Sequence, residues 1–423
     1  MKSGFKKIIH GTIFGIICAL ILLSLFAFSY LLPSEPIKNH VKNASEIISN
    51  EGNYPTFVYS GTQLDNFTDA IILSGAYGNI ESHSIFGKAL GSFRYSEENV
   101  EPIDALKKQV ENDLPANDMY SRYWFGTSAL TRYLMTFFSY SDIRIVLMYV
   151  VVGLSLAAAY LIVKKLGVKY MIAFVISLLM MRIWVVPMSL QYSPAIIISL
   201  IAVILVLKFS EKKNYKQLLP YIFIGGGILT AFHDLLTVPL LTLGYPLAIY
   251  ILIENVKISG KQKRNEVIKS IIIYSVIWAV SYAGMYIFKW ALTSIVMNEN
   301  TFKIAIKQLL FRADPHSHFS RIDTLDRNFS AFYGTIGKII LAIYLAFFAF
   351  KVFINRKQYK KKDYLQLVPI AVLFIMPYVW YLGLSNHSFI HVSFTYRAQA
   401  FSLFMLLSGT IWFLEKPQKK TRK

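Results

Sequence analysis

The sequence predicts an all-α fold, a polytopic membrane helix bundle of about ten transmembrane helices. Two observations support this class. Hydrophobic residues make up 55% of the 423 residues and the mean hydropathy is +0.46, values typical of a polytopic membrane protein. Several apolar runs also reach the roughly 20 residues that a helix needs to cross a bilayer.

Positive charge is concentrated in six short stretches, each at one end of an apolar run. They hold 26 of the 44 Lys and Arg residues but only 4 of the 24 acidic residues, in a chain of net charge +20. The stretches are 1–7, 164–169, 208–217, 254–269, 351–362 and 415–423. Because cytoplasmic loops of membrane proteins are rich in Lys and Arg, all six are predicted to be cytoplasmic. No nucleic-acid partner is expected, because the Lys and Arg residues lie between apolar runs instead of covering one face of the protein.

Ten spans are predicted between these stretches and a set of more polar segments. They are 8–32, 143–163, 170–187, 194–207, 218–232, 235–253, 270–297, 336–354, 367–384 and 398–414. An even number of spans places both termini in the cytoplasm of a multi-pass protein of the cell membrane. Residues 194–207 and 218–232 are short for a span, so these helices are expected to extend into their flanks.

The predicted topology divides the chain into five parts. They are a signal-anchor first helix (1–32), an extracytoplasmic loop (33–140), transmembrane helices 2–7 (141–297), a second extracytoplasmic loop (298–335), and helices 8–10 with the basic tail (336–423). The first helix lacks a small-x-small cleavage site, so an uncleaved anchor is expected. Cys18, the only cysteine, lies in the middle of this apolar run, and a single cysteine excludes an intramolecular disulfide.

The first loop is predicted to be partly helical and to end in an interfacial helix over 119–139. This segment is rich in aromatic residues and includes Arg122 and Tyr123. Aromatic side chains with polar tips favour the membrane interface. Together with short turns near 188–193, 233–234 and 385–397, the two loops make up the outer face, where function is expected.

Asp65 and Asp69 are the candidate catalytic residues. They are four residues apart and therefore share one face of a helix. A carboxylate held at the bilayer surface could act as a general base on an acceptor hydroxyl. The alternative is that Asp65 or Thr68 caps a helix start, or that these side chains form a solvated surface.

The remaining candidates are substrate-binding residues in the outer segments. They are Arg122, Tyr123, His233, Asp234, Arg312, His316, His318, Arg321, His387, His391 and Arg397. His233 and Asp234 interrupt an apolar stretch, where ionisable groups are costly unless they face a cavity or a partner. The arginines could bind a phosphate or diphosphate. The alternatives are a buried hydrogen bond or exposed turn at His233 and Asp234, a charge-balanced second loop, and snorkelling of Arg397.

No cofactor is required by these residues. His316 and His318, with Asp314 nearby, leave a divalent metal open as an alternative. A phosphate-binding glycine loop, a G-x-S-x-G motif and a Cys-rich metal site are absent from the sequence.

The layout resembles the glycosyltransferase C superfamily. One spanning helix, a substantial first outer loop with an early acidic residue, an interfacial aromatic helix and a polytopic remainder carry this resemblance. The segments LDNFTDA, YSRYWFG, FHDLLTVPLLTLG and NHSFIHVSFTYR also look like those of bacterial membrane proteins of this general type. In the superfamily an acid of the first outer loop is the catalytic carboxylate. The resemblance assigns this role to Asp69, with Asp65 as the substitute.

The resemblance implies transfer of a sugar from a polyprenyl-phosphate-linked donor to a cell-envelope glycan or lipid acceptor, on the extracytoplasmic face. In this inverting reaction Asp69 would deprotonate the acceptor hydroxyl, and Arg122, Arg312 or Arg397 would stabilise the departing phosphate. Membrane lipids are the other expected partners. A metal is optional, because the donor is already activated.

Three alternatives remain open. A transporter or flippase of a lipid-linked or anionic substrate would need polar groups across the bilayer, and Lys289 and Arg182 are the main charges inside the predicted spans. A polysaccharide polymerase or ligase would depend on His316, His318 and Arg321 more than on Asp69. A purely structural membrane protein is the third alternative, but a structural role does not explain why polar residues interrupt the helix ends on one face of the membrane.

Overall fold

The computed structural model describes residues 2–59, 61–80, 83–257, 261–315 and 319–415. The fold is all-α, with one small antiparallel ribbon in which Phe93 pairs with Met119. Up to residue 139 the elements are α1 (Lys2–Ser29), α2 (Ser34–Glu51), α3 (Asn66–Tyr77), α4 (Ile85–Gly91), β1 (Phe93–Arg94), α5 (Pro102–Glu111), β2 (Asp118–Met119) and α6 (Gly126–Met135).

The rest of the described chain is helical with short connections. The helices are α7 (Tyr140–Lys165), α8 (Val168–Met180), α9 (Ser193–Phe209), α10 (Tyr215–His233), α11 (Leu241–Lys257), α12 (Lys261–Met297), α13 (Thr301–Ala313), α14 (Arg321–Ile354), α15 (Lys361–Tyr364), α16 (Val368–Gly383), α17 (Ser385–Ile390), α18 (Val392–Thr395) and α19 (Gln399–Leu414). Short 3-10 helices cover Ile183–Met188, Arg356–Gln358, Leu365–Leu367 and Tyr396–Ala398.

Six helical segments in the described residues are long and apolar enough to cross a membrane. They are Ile8–Ser29, Tyr140–Lys165, Asn265–Met297, Arg321–Ile354, Leu365–Gly383 and Val392–Leu414. Three shorter apolar helices are Val168–Met180, Ser193–Phe209 and Leu241–Glu254. These lengths and compositions indicate a multi-pass membrane protein. Each of the ten predicted spans overlaps a helix, although not every one of those helices has the length of a full span.

The described residues of the basic stretches lie at one end of the bundle, which we call the basic end. Lys165 pairs with Glu211, and Lys169 pairs with Glu415. Lys216 lies 3.3 Å from Glu254. These pairs join four of the six stretches. The other two lie at the same end: the Phe14 ring of α1 is 5.2 Å from Tyr221 near the start of α10, and the Tyr359 ring is 4.7 Å from Phe413.

The segment between α1 and α7 packs on the opposite end of the helix bundle. The Trp124 indole N–H donates to the Met285 carbonyl of α12 at 2.7 Å, and the Thr127 hydroxyl donates to the His233 carbonyl at 2.7 Å. Trp124 is completely buried. The aromatic residues of this segment therefore form a core with α10 and α12.

This packing corrects the prediction of an interfacial helix over 119–139. Only α6, Gly126–Met135, is helical there. The preceding rings are buried, including those of Tyr120 and Phe125, whereas Phe137 is 77% exposed. Phe125 has a positive φ of 59°, which breaks the helix before Gly126. The prediction was wrong for residues 119–125, because hydrophobic burial against the bundle competes with placement at an interface.

The second predicted loop, 298–335, is also more helical than expected. It contains α13, and α14 already begins at Arg321. Ser320 and Asp323 form a reciprocal cap, in which the Ser320 N–H donates to the Asp323 carboxylate at 2.7 Å and the Asp323 N–H donates to the Ser320 hydroxyl at 3.1 Å. Gly334, with φ of 58°, kinks α14 just before the predicted span at 336–354.

Candidate functional site

The two candidate catalytic carboxylates lie at the start of α3 and are both buried. Asp65 is the N-cap residue: one oxygen accepts the Thr68 N–H at 3.0 Å and the other accepts the Thr68 hydroxyl at 2.9 Å. This arrangement satisfies a helix N–H that has no partner within the helix. The predicted capping role of Asp65 is therefore present, and each of its oxygens still has a free lone pair.

Asp69, in the first turn of α3, has a different environment. Its two oxygens accept four hydrogen bonds, two on each. The donors are the Tyr140 hydroxyl (2.7 Å), the Ser189 hydroxyl (2.9 Å), the Leu190 N–H (2.9 Å) and the Gln191 N–H (3.1 Å). A carboxylate offers about four lone-pair sites, so Asp69 has none left for a substrate proton. Its geometry is that of an anchor that ties α3 to α7 and to residues 189–191.

The two carboxyl groups also differ in their electrostatics. Burial raises the pKa of Asp65 to about 7; the Asp69 charge adds to this rise, while hydrogen bonds from Thr68 and the positive charge of Arg397 oppose it. Burial raises the pKa of Asp69 as well, against hydrogen bonds from Tyr140, Leu190 and Ser189 and the charge of Arg144. A carboxyl group with a pKa near 7 can exchange a proton at physiological pH. Asp65 therefore has both the lone pairs and the proton affinity of a general base.

Arg397 and Arg182 bring positive charge to the same region. Arg397 is completely buried and donates to the carbonyls of Met181 (3.2 Å) and Ser393 (2.8 Å). Its Nη2 atom and the Nη1 atom of Arg182 are buried, and neither has a hydrogen-bond partner among the described residues. In the described part of the chain, no carboxylate lies within ion-pair distance of either guanidinium. Buried, unpaired guanidinium nitrogens are costly, and an anionic ligand would satisfy them.

Both arginines lie against aromatic rings. The Arg397 guanidinium is 4.3 Å from the Tyr192 ring centre and 4.9 Å from that of Tyr396, and the Arg182 guanidinium is 4.7 Å from the Tyr396 ring centre. Arg182 has a positive φ of 58°, a conformation uncommon for this residue type. Cation–π contacts orient the guanidiniums without neutralising them. We call Asp65, Arg182, Tyr192, Tyr396 and Arg397 the Arg397 group.

A second polar group includes Arg312 and His387. The Arg312 Nη1 atom contacts the His387 Nδ1 atom. A guanidinium can only donate, so Nδ1 must accept, and the Nε2–H donates to the Leu236 carbonyl at 2.8 Å. Leu236 has a positive φ of 66°. Burial and the charges of Arg312 and His391 hold the pKa of His387 well below its ordinary range, so this imidazole is neutral at physiological pH.

Asp234 lies in the same second group. It is buried, and its Oδ1 atom accepts the Thr237 N–H at 3.1 Å. Within the part of the chain that the structure describes, its Oδ2 atom has no hydrogen-bond partner, and neither has the hydroxyl of Tyr282 or the Nδ1 atom of His233. Burial raises the pKa of Asp234 to about 7, against its hydrogen bonds to Thr237 and Val238. We call His233, Asp234, Tyr282, Arg312, His387 and His391 the Asp234 group.

Residues 189–191 link α3, the helix that Asp65 caps, to the Asp234 group. The Gln191 side-chain amide donates to the Thr237 hydroxyl at 2.9 Å, while its backbone N–H donates to Asp69. Thr237 in turn donates to Asp234. One continuous set of hydrogen bonds therefore runs from α3 to the residues that follow α10, at the end of the bundle opposite the basic end.

Arg122 and Tyr123 extend the Asp234 group towards the segment between α1 and α7. The Arg122 guanidinium is 4.2 Å from the Tyr120 ring centre and 5.5 Å from that of Tyr123, and the Arg312 guanidinium is 5.9 Å from the Tyr123 ring centre. The Nε atoms of Arg122 and Arg312 are buried and have no hydrogen-bond partner in the residues that the structure describes. Most of the predicted substrate-binding residues are thus brought together.

One predicted residue that the structure describes lies apart from both groups. Arg321, at the start of α14, is exposed and donates to the Leu382 carbonyl. His316 and His318 lie outside the described residues, so their predicted role is not tested. Among the described residues, no group of three or more His, Cys, Asp or Glu side chains is placed to hold a metal ion.

Several residues that these groups contain or depend on have no site role predicted from the sequence. They include Arg182, Ser189, Gln191, Tyr192, Tyr282 and Tyr396. For Arg182 the sequence does contain a signal, because a charge inside a predicted span marks a functional position by default. The others have side chains that are common in turns and helices, and no local pattern distinguishes them.

Comparison of the chain with protein-family models, with curated proteins and with solved structures found no match.

Proposed function

We propose that the chain is an integral membrane glycosyltransferase. It transfers a sugar from a polyprenyl-phosphate-linked donor to a cell-envelope glycan or lipid acceptor, on the extracytoplasmic face. In this proposal the basic end of the bundle is cytoplasmic, as the Lys and Arg bias implies. The Arg397 and Asp234 groups then lie at the outer face, and the ten predicted spans cross the membrane with both termini inside.

The observation that carries the proposal is the Arg397 group. It combines a buried carboxyl group of raised pKa, Asp65, with two arginines that have unpartnered buried nitrogens. Sugar transfer from a phosphate-linked donor needs a base for the acceptor hydroxyl and positive charge for the departing phosphate. The chemistry of the group meets both requirements.

The proposed step transfers one proton, forms one bond and breaks one bond. Asp65 takes the proton of the acceptor hydroxyl as the acceptor oxygen forms a bond to the anomeric carbon. The bond between that carbon and the phosphate oxygen breaks, and its electron pair leaves with the phosphate. Nη2 of Arg397 and Nη1 of Arg182 stabilise the negative charge that grows there. Asp69, the first choice from sequence, holds the 189–191 segment in place in this scheme.

Transfer of a radiolabelled sugar tests the proposal. Extracted polyprenyl-phosphate donors of several sugars are incubated with membranes that contain the wild-type protein or Asp65→Asn at matched expression. We expect transfer by the wild type and a loss of at least about 100-fold in Asp65→Asn. Asparagine also caps helices well, so this variant should fold. Full transfer by Asp65→Asn would reject Asp65 as the base.

The Arg312–His387 contact favours a second candidate, a polysaccharide polymerase or ligase. It brings the segment predicted as the second outer loop into contact with the turn that contains His387. Such an enzyme would use the Asp234 group as its main site. Comparing Asp234→Asn with Asp65→Asn in the same transfer assay separates the two: greater loss in Asp234→Asn supports the polymerase or ligase.

A further inference from the structure

A cleft of about 650 Å³ lies beside α3, on the side away from Asp65 and Asp69. Phe67, Ile71 and Ser74 of α3 form its floor. These residues are spaced by four and three positions and so share one helix face. The volume is in the range of small-molecule binding sites, roughly 300–1,000 Å³.

The cleft is held in shape by hydrogen bonds across its floor. The Ser74 hydroxyl accepts the Tyr95 N–H at 2.8 Å and donates to the Gln109 side chain at 2.7 Å. The first bond fixes the segment after β1 to α3, and the second fixes α5 to α3. The cleft therefore exists without a ligand, as binding sites usually do.

One wall of the cleft carries positive charge on an aromatic ring. The guanidiniums of Arg94 and Arg122 lie 4.6 Å and 4.2 Å from the Tyr120 ring centre. Arg94 is neutralised by Asp118, with an Nε to carboxylate distance of 2.7 Å. Arg122 has no carboxylate within ion-pair distance among the residues that the structure describes, and its buried Nε atom has no hydrogen-bond partner. Arg122 is thus the cation available to a ligand.

The other wall carries carboxylates and an amide. Glu97 pairs with Lys108 at 2.6 Å. Glu101 and Asn99 line the cleft and are exposed. Glu101 is the N-cap residue of α5, but its side chain makes no capping hydrogen bond. Its carboxylate is therefore available to accept from hydroxyl groups.

We propose that this cleft binds an acidic saccharide, with the acidic group at Arg122 and sugar hydroxyls at Glu101 and Asn99. The side chains of Phe67 and Ile71 on the floor offer apolar surface to the sugar ring, and the two walls offer polar groups, a combination that suits a ligand with both kinds of surface. A lipid tail is disfavoured because charged and amide side chains line the walls. Binding of an acidic saccharide does not depend on the proposed transfer reaction.

The cleft adjoins the Asp234 group. Arg122 also contacts the Tyr123 ring, which Arg312 of that group contacts as well. The acidic end of the saccharide would then lie beside the Asp234 group and not beside Asp65. If the chain is the polymerase or ligase that uses the Asp234 group, this ligand is its acceptor, and this assignment rests on that second proposed function.

Isothermal titration of the purified full-length protein in nanodiscs, without donor, tests the binding site. The acidic probes are trigalacturonate and glucose 6-phosphate, and their neutral counterparts are methyl-esterified trigalacturonate and glucose. We expect at least one acidic probe to bind about tenfold more tightly than its counterpart, since a charge-assisted hydrogen bond to Arg122 is lost in the neutral form. Equal or absent binding of each pair would overturn the proposal.

Substitutions of residues in the cleft test whether the acidic probe binds there. Arg122→Gln should weaken binding of the acidic probe about tenfold. Glu101→Ala, at an exposed position, removes the acceptor of the sugar hydroxyls and should weaken binding without affecting folding. Lys42→Gln removes an exposed cation of α2 and is the matched control. Unchanged affinity in both Arg122→Gln and Glu101→Ala would place the probe elsewhere and reject the site.

Two further measurements separate the binding site from the proposed function. Asp65→Asn should bind the acidic probe with wild-type affinity, because Asp65 is not in the cleft. Loss of binding in Asp65→Asn would contradict a separate cleft. Binding by a protein that shows no transfer would reject the transferase and leave the saccharide site standing.

Discussion

The guanidiniums of Arg182 and Arg397 lie over the ring of one tyrosine, Tyr396, at 4.7 Å and 4.9 Å from its centre. Arg182 precedes a 3-10 helix after α8, and Arg397 lies in another before α19. Like charges held close together repel each other. Each guanidinium also has a buried nitrogen with no hydrogen-bond partner among the described residues. A bound anion would therefore reduce the repulsion between the two charges and accept hydrogen bonds from these nitrogens.

Removing one of these charges should reduce transfer. We expect Arg397→Gln to lower the transfer rate about 100-fold, the usual scale for loss of one group that stabilises developing charge. Lys303→Gln, which removes an exposed cation of α13, is the control and should retain activity. The radiolabelled-sugar assay measures both. Equal rates for the two variants would remove Arg397 from the mechanism.

The pH dependence of transfer should follow Asp65. Because burial raises its pKa to about 7, the base is free of its proton only above that pH. The rate should therefore rise with pH and become constant above about 7. A pH–rate profile from pH 5 to 9 checks this, and a rate independent of pH in that range would exclude a base of this kind.

The raised pKa of Asp65 also predicts how this residue affects the stability of the protein. The folded state binds the proton more tightly than the unfolded state, in which the pKa of aspartate is about 3.9. The contribution of Asp65 to stability is therefore full below pH 4 and is lost as the pH rises through about 7. In Asp65→Asn this loss is absent. Melting temperatures in detergent at pH 5 and pH 8 should differ less in the variant than in the wild type.

Asp69 should matter for stability. In Asp69→Asn one of the two side-chain atoms becomes an N–H donor that faces other donors, so two hydrogen bonds are lost and their donors stay buried. We expect the free energy of unfolding to fall by about 3 kcal/mol. Asp104→Asn, at an exposed position of α5, is the control. A melting temperature of Asp69→Asn equal to that of the control would show that Asp69 is not an anchor.

The lowered pKa of His391 predicts a second effect of acidic pH on protein stability. Burial and the positive charge of Arg312 lower its pKa from 6.5 to about 4. Its contribution to stability is full above pH 6.5 and is lost as the pH falls towards 4. In His391→Gln the drop in melting temperature between pH 7 and pH 5 should shrink, on the order of 2 °C. His83→Gln, at an exposed position, should keep the wild-type drop; equal drops in both variants would contradict the prediction.

Cysteine labelling tests the orientation. Cys18 is the only cysteine and lies within the first candidate span, so a Cys18→Ala background has no thiol. Lys307→Cys in α13 should react with a membrane-impermeant maleimide added to intact cells. Lys212→Cys at the basic end should react only after the membrane is opened. The reverse pattern would invert the proposed topology and place both polar groups on the cytoplasmic side.

Sequence patterns were most informative about the ends of helices. The predicted spans overlap the helices, and the described residues of the six basic stretches lie at one end of the bundle. The prediction was wrong for residues 119–125, and α14 begins earlier than the predicted span. Buried aromatic cores and interfacial helices have the same composition, so only the packing of Trp124 against α12 distinguishes them.

The sequence by itself determined the all-α class, the candidate spans and the separation of basic from other polar helix ends. These properties depend on the length and charge of continuous segments. Only the tertiary structure decided that Asp69 is saturated by Tyr140 and residues 189–191 while Asp65 keeps free lone pairs, and that Arg182 lies with Arg397. The physical reason is that a side chain's hydrogen-bond partners and burial come from segments far away in the chain, which no local pattern encodes.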